Sequence, residues 1–310
     1  MVNAQSRPVS GGAVNNKIKM TREDKVFRGI VLVILSAMFL IILVPLIHIV
    51  ASSFSSPNAV AAGKVLLWPV EPSLEGYTAV FTNDMIGIGY MNSIIYTVAG
   101  TCINIAMTVI TAYALACPGL PGRGIVMMLF TFTMLFDAGM IPNYMLLKDL
   151  NLLNTRWAML LPGAIGAYNM IITRTFIANS IPQEMREAAD IDGCSDIQYL
   201  IHVVLPLSKA VIAVITLYYA VAHWNSYFNA FLYLTKKDLF PLQIVLRDIL
   251  IANTLDPGAI LDPELMAAKQ GMANLLKYAL VVVASLPVMC IYPFIQKHFV
   301  QGVMIGSVKG

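Results

Sequence analysis

One acid, Asp137, lies inside a long apolar run of this chain, and four histidines, His48, His202, His223 and His298, are scattered along it. Acid–base chemistry needs such groups to converge on one reacting atom, and no local spacing here brings them together. No H-E-x-x-H pair offers a metal site, and no G-x-x-x-x-G-K-[ST] loop offers a phosphate cradle. Gly302 to Lys309 has neither that spacing nor a strand before it. Cys102, Cys117, Cys194 and Cys290 are dispersed without a C-x-x-C pair and read as small apolar fillers. The dense chemistry sits in SIPQEMREAADIDGCSDIQ, residues Ser180 to Gln198, which carries Glu184, Glu187, Asp190, Asp192 and Asp196. Ser180 with Gln183 has capping-box spacing, with Pro182 in the first turn, so a helix is expected to open there. Glu184 suits the positive end of that helix. Gly193 is placed to end it in a left-handed turn, and Ser195 with Gln198 repeats the capping box for a second helix. Met185, Ala188, Ala189 and Asp192 recur at helical spacing and form a face of mostly small residues. Such a face lets the groove of a partner approach the backbone closely; an ordinary solvated loop helix would show the same pattern.

The elements around this segment are apolar. The chain has 310 residues, 58% hydrophobic and 12% charged, with a mean hydropathy of +0.74. A soluble domain carries about 25% charged residues, so the shortfall points to lipid. A net charge of +3 and the lack of a basic, aromatic-laced tract argue against nucleic acid. Six stretches approach the ~20 apolar residues that a spanning helix needs. They run roughly from Phe27 to Val50, Met91 to Ala116, Gly124 to Ile141, Arg156 to Ile177, Leu205 to Trp224 and Tyr278 to Phe294. Residues 1–25 read as a polar N-terminal tail, 26–298 as a six-helix membrane domain with the charged segment at 180–206, and 299–310 as a C-terminal tail. The first span reads as retained, since its apolar run is long for a signal peptide and no small-residue cleavage site follows. Lys17, Lys19, Arg22, Lys25 and Arg28 precede it, which places the N-terminus in the cytoplasm. Six crossings then return the C-terminus and the charged segment to the same side. Lys148, Arg156, Lys236, Lys237, Arg247 and Lys269 would lie outside, so the first span has to dominate.

Polar residues in or beside the spans have two readings each. Asp137 is a functional candidate as an intramembrane acid, or it caps a broken helix beside Gly139 and Pro142, or it sits at the outer interface. Trp224, Asn225, Tyr227 and Asn229 combine aromatic planes with amides, which suits sugar recognition; an aromatic belt at the membrane face is the alternative. Asn143 and Tyr144 share those readings. Asn104 and Asn169 read as interhelical hydrogen-bond partners.

Glu187-Ala188-Ala189, followed by Asp192-Gly193 and later by Leu205-Pro206, resembles the EAA loop of ABC-importer permeases. Asn92-Ser93, Ala112-Tyr113-Ala114-Leu115, Pro121-Gly122-Arg123, Ile141-Pro142-Asn143-Tyr144, Trp224-Asn225, Pro241-Leu242-Gln243 and the run from Val300 to Gly310 are similar to the carbohydrate-uptake, maltose-type branch. Leu135-Phe136-Asp137-Ala138-Gly139-Met140 is similar to the group serving complex oligosaccharides in Gram-positive bacteria. The resemblance spans roughly residues 25 to 310 and departs at Cys194, where the family favours alanine or another small residue. It implies an all-α, type I importer permease fold with six membrane helices in a bacterial cell membrane. It implies no catalysis and no cofactor in this chain, with ATP and magnesium on a separate ATPase. Partners would be a second, paralogous permease, two ATPase subunits and an external solute-binding protein. By resemblance, Glu184, Glu187, Ala188, Ala189, Asp192, Gly193, Leu205 and Pro206 would couple the chain to the ATPase, and no residue would hold a metal. The main reading is an importer subunit for oligosaccharides or modified sugars. The rivals are the same importer for peptide or another solute, a proton-coupled carrier, and a membrane enzyme using Asp137 and a histidine.

Overall fold

The computed structural model describes residues 21–252 and 271–290. The described residues are helical, with no strand among them. In chain order the helices are α1 (Arg22–Ser53), α2 (Pro57–Ala61), α3 (Glu75–Phe81), α4 (Asp84–Ala116), α5 (Arg123–Leu135), α6 (Met140–Asp149), α7 (Trp157–Leu160) and α8 (Ala167–Ser180). They continue with α9 (Gln183–Ile191), α10 (Asp196–Tyr199), α11 (Leu205–Leu207), α12 (Lys209–Trp224), α13 (Tyr227–Tyr233) and α14 (Leu242–Ala252), and α15 (Gly271–Cys290). Residues 1–20 of the expected N-terminal tail, the tail at 299–310, the end of the last span beyond Cys290, and Lys269 lie outside the described residues; residues 22–25 of that tail already belong to α1.

The chain divides into two units, residues 1–48 and 49–310. Most of α1 forms the first. It is apolar on every side, and its most apolar stretch has no buried residue, the pattern of a helix made to face hydrocarbon.

The second unit is built on α4, which packs against α8, α12 and α14. The reason is in its sequence. Gly89, Ser93, Gly100, Asn104, Thr108 and Ala112 recur along one buried stripe. Small residues let backbones approach, and polar ones bond across helices where water is absent. Gly100 faces the ring of His223 on α12, where any β-carbon would collide. At one end of α4, Asn92 donates to the carbonyls of Asp238 (2.7 Å) and Phe240 (3.1 Å), and the Ser93 hydroxyl accepts from the Leu242 amide at 2.9 Å. The Asn92-Ser93 and Pro241-Leu242 motifs are thus two halves of one contact. At the other end, Ala112 and Leu115 join a core with Met170, Ile177, Tyr199 and Val204.

The described residues do not confirm the six spans expected. Three helices, α1, α4 and α15, are long and apolar enough to cross a membrane alone. The expected third span breaks after Leu135, and α5 and α6 lie at 116°. The fifth begins at Lys209 instead of Leu205, because the helix from Asp196 to Leu207 meets α12 at 83°. Counting each bent pair as one span gives up to five among the described residues. The expected fourth is interrupted between Leu160 and Ala167 and is not among them. Apolar composition carries no information about chain direction, so it does not show such breaks.

Candidate functional site

The charged segment folds as two short helices about a tight turn. Its start differs from expectation. Ser180 is the last residue of α8 and so lacks the extended backbone of an N-cap, and Pro182 takes the N-cap position with no side-chain cap bond. Proline suits that place because its fixed φ is pre-set and its missing N–H would have been an orphan. The end is as expected. Gly193 has φ +73°. The Cys194 amide donates to the Ala189 carbonyl at 2.9 Å and the Gly193 amide to that of Asp190 at 3.1 Å. This pair of bonds is a Schellman cap, which an apolar contact between its ends commonly accompanies. Ala189 and Cys194 are the two ends, and both pack against the inner core. Cysteine at 194 therefore does the work of a small apolar residue. The second capping box forms: the Gln198 amide donates to Ser195 Oγ (3.3 Å) and the Ser195 amide to Gln198 Oε1 (3.0 Å).

This geometry sorts the candidate coupling residues. Glu184, Glu187, Ala188, Asp192 and Gly193 are exposed, whereas Ala189 is half-buried on the opposite side. Glu187 accepts from Gln183 Nε2 at 3.1 Å. Two apolar residues flank the turn in the open: Ile191 is 87% exposed and Ile197 70%. With Met185 they give the outer face a greasy character that the acids and alanines alone do not convey. Leu205 and Pro206 lie at the far end. A π-helical turn, Leu200–Val204, precedes them, and the 83° bend follows at Ser208. The segment is therefore held between α8 and α12.

Sequence reasoning missed Arg186. It lies on the inward side of α9 and ties three elements together. Nε pairs with Asp190 at 2.9 Å and Nη2 with Asp196 at 2.6 Å. Nη1 donates to the Tyr113 hydroxyl on α4 at 2.5 Å, and the guanidinium lies 5.1 Å from the centre of the Tyr199 ring. The hydrogen bond to Asp196 holds the Arg186 proton above its already high ordinary value, so the group stays charged. The i,i+4 pairing with Asp190 was visible in the sequence; the contact with Tyr113, 73 residues away, was not. Arg186, Gln183 and Glu187 also line a cleft of about 860 Å³ between α9 and the turn from Cys117 to Arg123.

The candidate path residues are not gathered into one site. Asp137 lies at the break between α5 and α6, where its Oδ1 accepts from the Gly139 amide at 3.1 Å. Asn143 is exposed on α6, while Tyr144 packs against the cluster of Leu147, Ala158 and Tyr233. Trp224 is 5% exposed. Its indole N–H donates to the Ala284 carbonyl at 3.1 Å, so it is a core residue here. Asn225 is exposed and bonds back to Val221 at 3.0 Å; Tyr227 stacks on Phe231 at 6.0 Å; Asn229 is exposed.

A buried polar chain runs between the helices. Asn104 Nδ2 donates to the carbonyls of Gly163 (2.9 Å) and Ala164 (3.2 Å), in the break between α7 and α8. Its Oδ1 lies 2.8 Å from His223 Nε2, which assigns the proton to that nitrogen. The Tyr219 hydroxyl accepts from the Gly166 amide (3.0 Å) and meets Thr108 at 2.7 Å. Asn104 thus makes the interhelical bonds expected of it; Asn169 makes none among the described residues. Non-helical backbone is tolerated at membrane depth where protein groups satisfy it, and Asn104 and Tyr219 do so.

Residues 85–305 match the family described as binding-protein-dependent transport system inner membrane component. The chain is 42% identical over 271 residues to the polygalacturonan/rhamnogalacturonan transport system permease protein YtcP of Bacillus subtilis, covering 87% of this chain and 94% of that protein. It is 39% identical over 292 residues to protein LplC of the same organism, covering 94% and 97%. A chain from the crystal structure of a bacterial ABC transporter involved in the import of the acidic polysaccharide alginate superposes with a TM-score of 0.82 at 34% identity. That match covers 91% of this chain and 99% of the other.

Proposed function

The chain belongs to the family of binding-protein-dependent transport inner-membrane components, and from that premise we propose that it is the permease subunit of an ATP-driven importer for oligosaccharides bearing uronic acids. The family makes it a multi-pass membrane protein and not itself an enzyme. The relatives named for polygalacturonan and alginate transport support the substrate class. The observation that carries the mechanism is α9, exposed on a capped turn and held between α8 and the bend into α12.

A sugar cannot cross hydrocarbon unaided, because each unsatisfied polar group costs several kcal/mol. A polar route must open to one side and then the other, and a two-state change needs a source of differential binding energy. A separate ATPase, holding ATP and magnesium, supplies it. Glu184, Glu187, Ala188, Asp192, Ile191 and Ile197 form the face that enters the ATPase. Gly193 fixes the turn, and Leu205-Pro206 carry its motion into α12. The arrangement has six crossings, with α7 and α8 together as an interrupted fourth, and both termini in the cytoplasm. A second, paralogous permease and an external binding protein complete it.

The test is affinity purification of the tagged chain from its own membranes in mild detergent, beside Gly193→Pro. Proline cannot adopt the φ of +73° and has no N–H for Asp190. The ATPase and second permease should follow the native chain, and the mutant should keep the permease and lose the ATPase. Equal retention of the ATPase would overturn the docking assignment. With the binding protein added, oligogalacturonate should stimulate ATP hydrolysis and neutral maltooligosaccharide should not. The reverse would overturn the substrate class.

A further inference from the structure

We infer that Arg186 is the joint through which the coupling segment moves α4. This rests on the reading of α9 as the ATPase lever. The segment is continuous in the chain with α8 at one end and α12 at the other, but α4 is joined to it only through space. Apolar packing of Tyr199 and Val204 on Ala112 and Leu115 holds the two in contact, yet such packing is non-directional and lets surfaces slide. Arg186 adds direction. One guanidinium reaches Asp190 within α9, Asp196 across the turn and the Tyr113 hydroxyl on α4, at 2.9, 2.6 and 2.5 Å. Tyr113 closes the triangle with a weaker bond of 3.4 Å to Asp196. A planar fork with several fixed donors can hold such an array; an ammonium cannot.

The position on α4 gives the joint its leverage. Tyr113 stands one turn from the end of the helix at Ala116. The same helix carries Gly100 and Asn104, which seat His223 and the broken backbone at Gly163. A pull at Tyr113 therefore acts on the stripe that α4 shares with α8 and α12. The other tie at this end, Arg174 Nε to the Leu115 carbonyl at 3.3 Å, comes from α8 and does not involve the lever.

The test uses the whole importer reconstituted in liposomes with its binding protein, measuring substrate transported per ATP hydrolysed. Arg186→Gln should retain the ATPase and lower that ratio about tenfold, within the range typical of coupling between sites. Tyr113→Phe should lower it less, because Arg186 keeps both acids. The double variant should be no worse than Arg186→Gln, since both substitutions cut the same link. An unchanged ratio in Arg186→Gln, or losses that multiply independently in the double variant, would overturn the joint. If Arg186→Gln does not assemble, Tyr113→Phe alone decides, and an unchanged ratio there overturns it. Absence of the ATPase from the native complex would instead strike the lever reading itself.

Discussion

At the scale of single residues, Gly100 shows most directly how packing dictates sequence. It faces the His223 ring so closely that no side chain fits, and that ring is already bonded to Asn104. Gly87, on the same helix, has nothing within 4 Å of the place a β-carbon would take. The two glycines should therefore respond oppositely to alanine. Gly100→Ala overfills a packed interface and should cost about 1–3 kcal/mol. Gly87→Ala should leave stability unchanged or raise it by up to about 1 kcal/mol, since alanine is the better helix former. Thermal unfolding in detergent reads both, and equal effects would mean that α4 and α12 do not approach as described. The residues of the charged turn show what can be seen without a fold. Gly193 and the Ser195 capping box are local, with partners within one or two turns, and the sequence declares them. The bond from Arg186 to Tyr113 and the cradle of Asn104 join residues 73 and 59 positions apart, and no local pattern encodes such pairs.

At the scale of elements, the apolar runs were legible and their breaks only in part. Hydropathy sums side chains over a window and says nothing of the angle between halves of that window. The interruption before Ala167 passed as continuous helix for this reason, whereas the break after Leu135 agrees with the reading of Asp137 as the cap of a broken helix beside Gly139 and Pro142. The false capping box at Ser180 has a related cause: the pattern is correct, but the preceding helix runs through Ser180 and leaves no room for a cap. The break at Asp137 also separates two roles for that acid. Its Oδ1 accepts from the Gly139 amide, where Gly139 has φ +84° and leads into α6. An amide oxygen can make the same bond without the charge. Asp137→Asn should therefore keep both stability and transport, while Asp137→Ala, losing the bond, should cost about 1 kcal/mol. Uptake assays and thermal unfolding on the same preparations check this. Loss of uptake in Asp137→Asn at unchanged stability would make the charge itself part of the sugar route.

At the scale of the whole molecule, two units share the labour of one membrane protein. Residues 49–310 hold the buried interfaces and all of the family match. Residues 1–48 offer an apolar helix and a basic flank, Lys17, Lys19, Arg22, Lys25 and Arg28. That flank has a task which packing cannot perform. In the proposed arrangement Lys148, Arg156, Lys236, Lys237 and Arg247 all lie outside, against the usual bias of positive residues towards the cytoplasm. The later loops therefore cannot orient the chain, and the first span has to. A chain beginning at residue 49 should still insert but lose its single orientation. The readout is a cysteine placed at Glu184, exposed on α9, in a background where the four native cysteines are replaced. In the full chain it should resist an impermeant maleimide applied to intact spheroplasts and react after lysis. In the shortened chain a large fraction should react from outside. If labelling is the same in both, orientation comes from residues 49–310, and the basic flank has no part in placing the lever on the side where an ATPase can reach it.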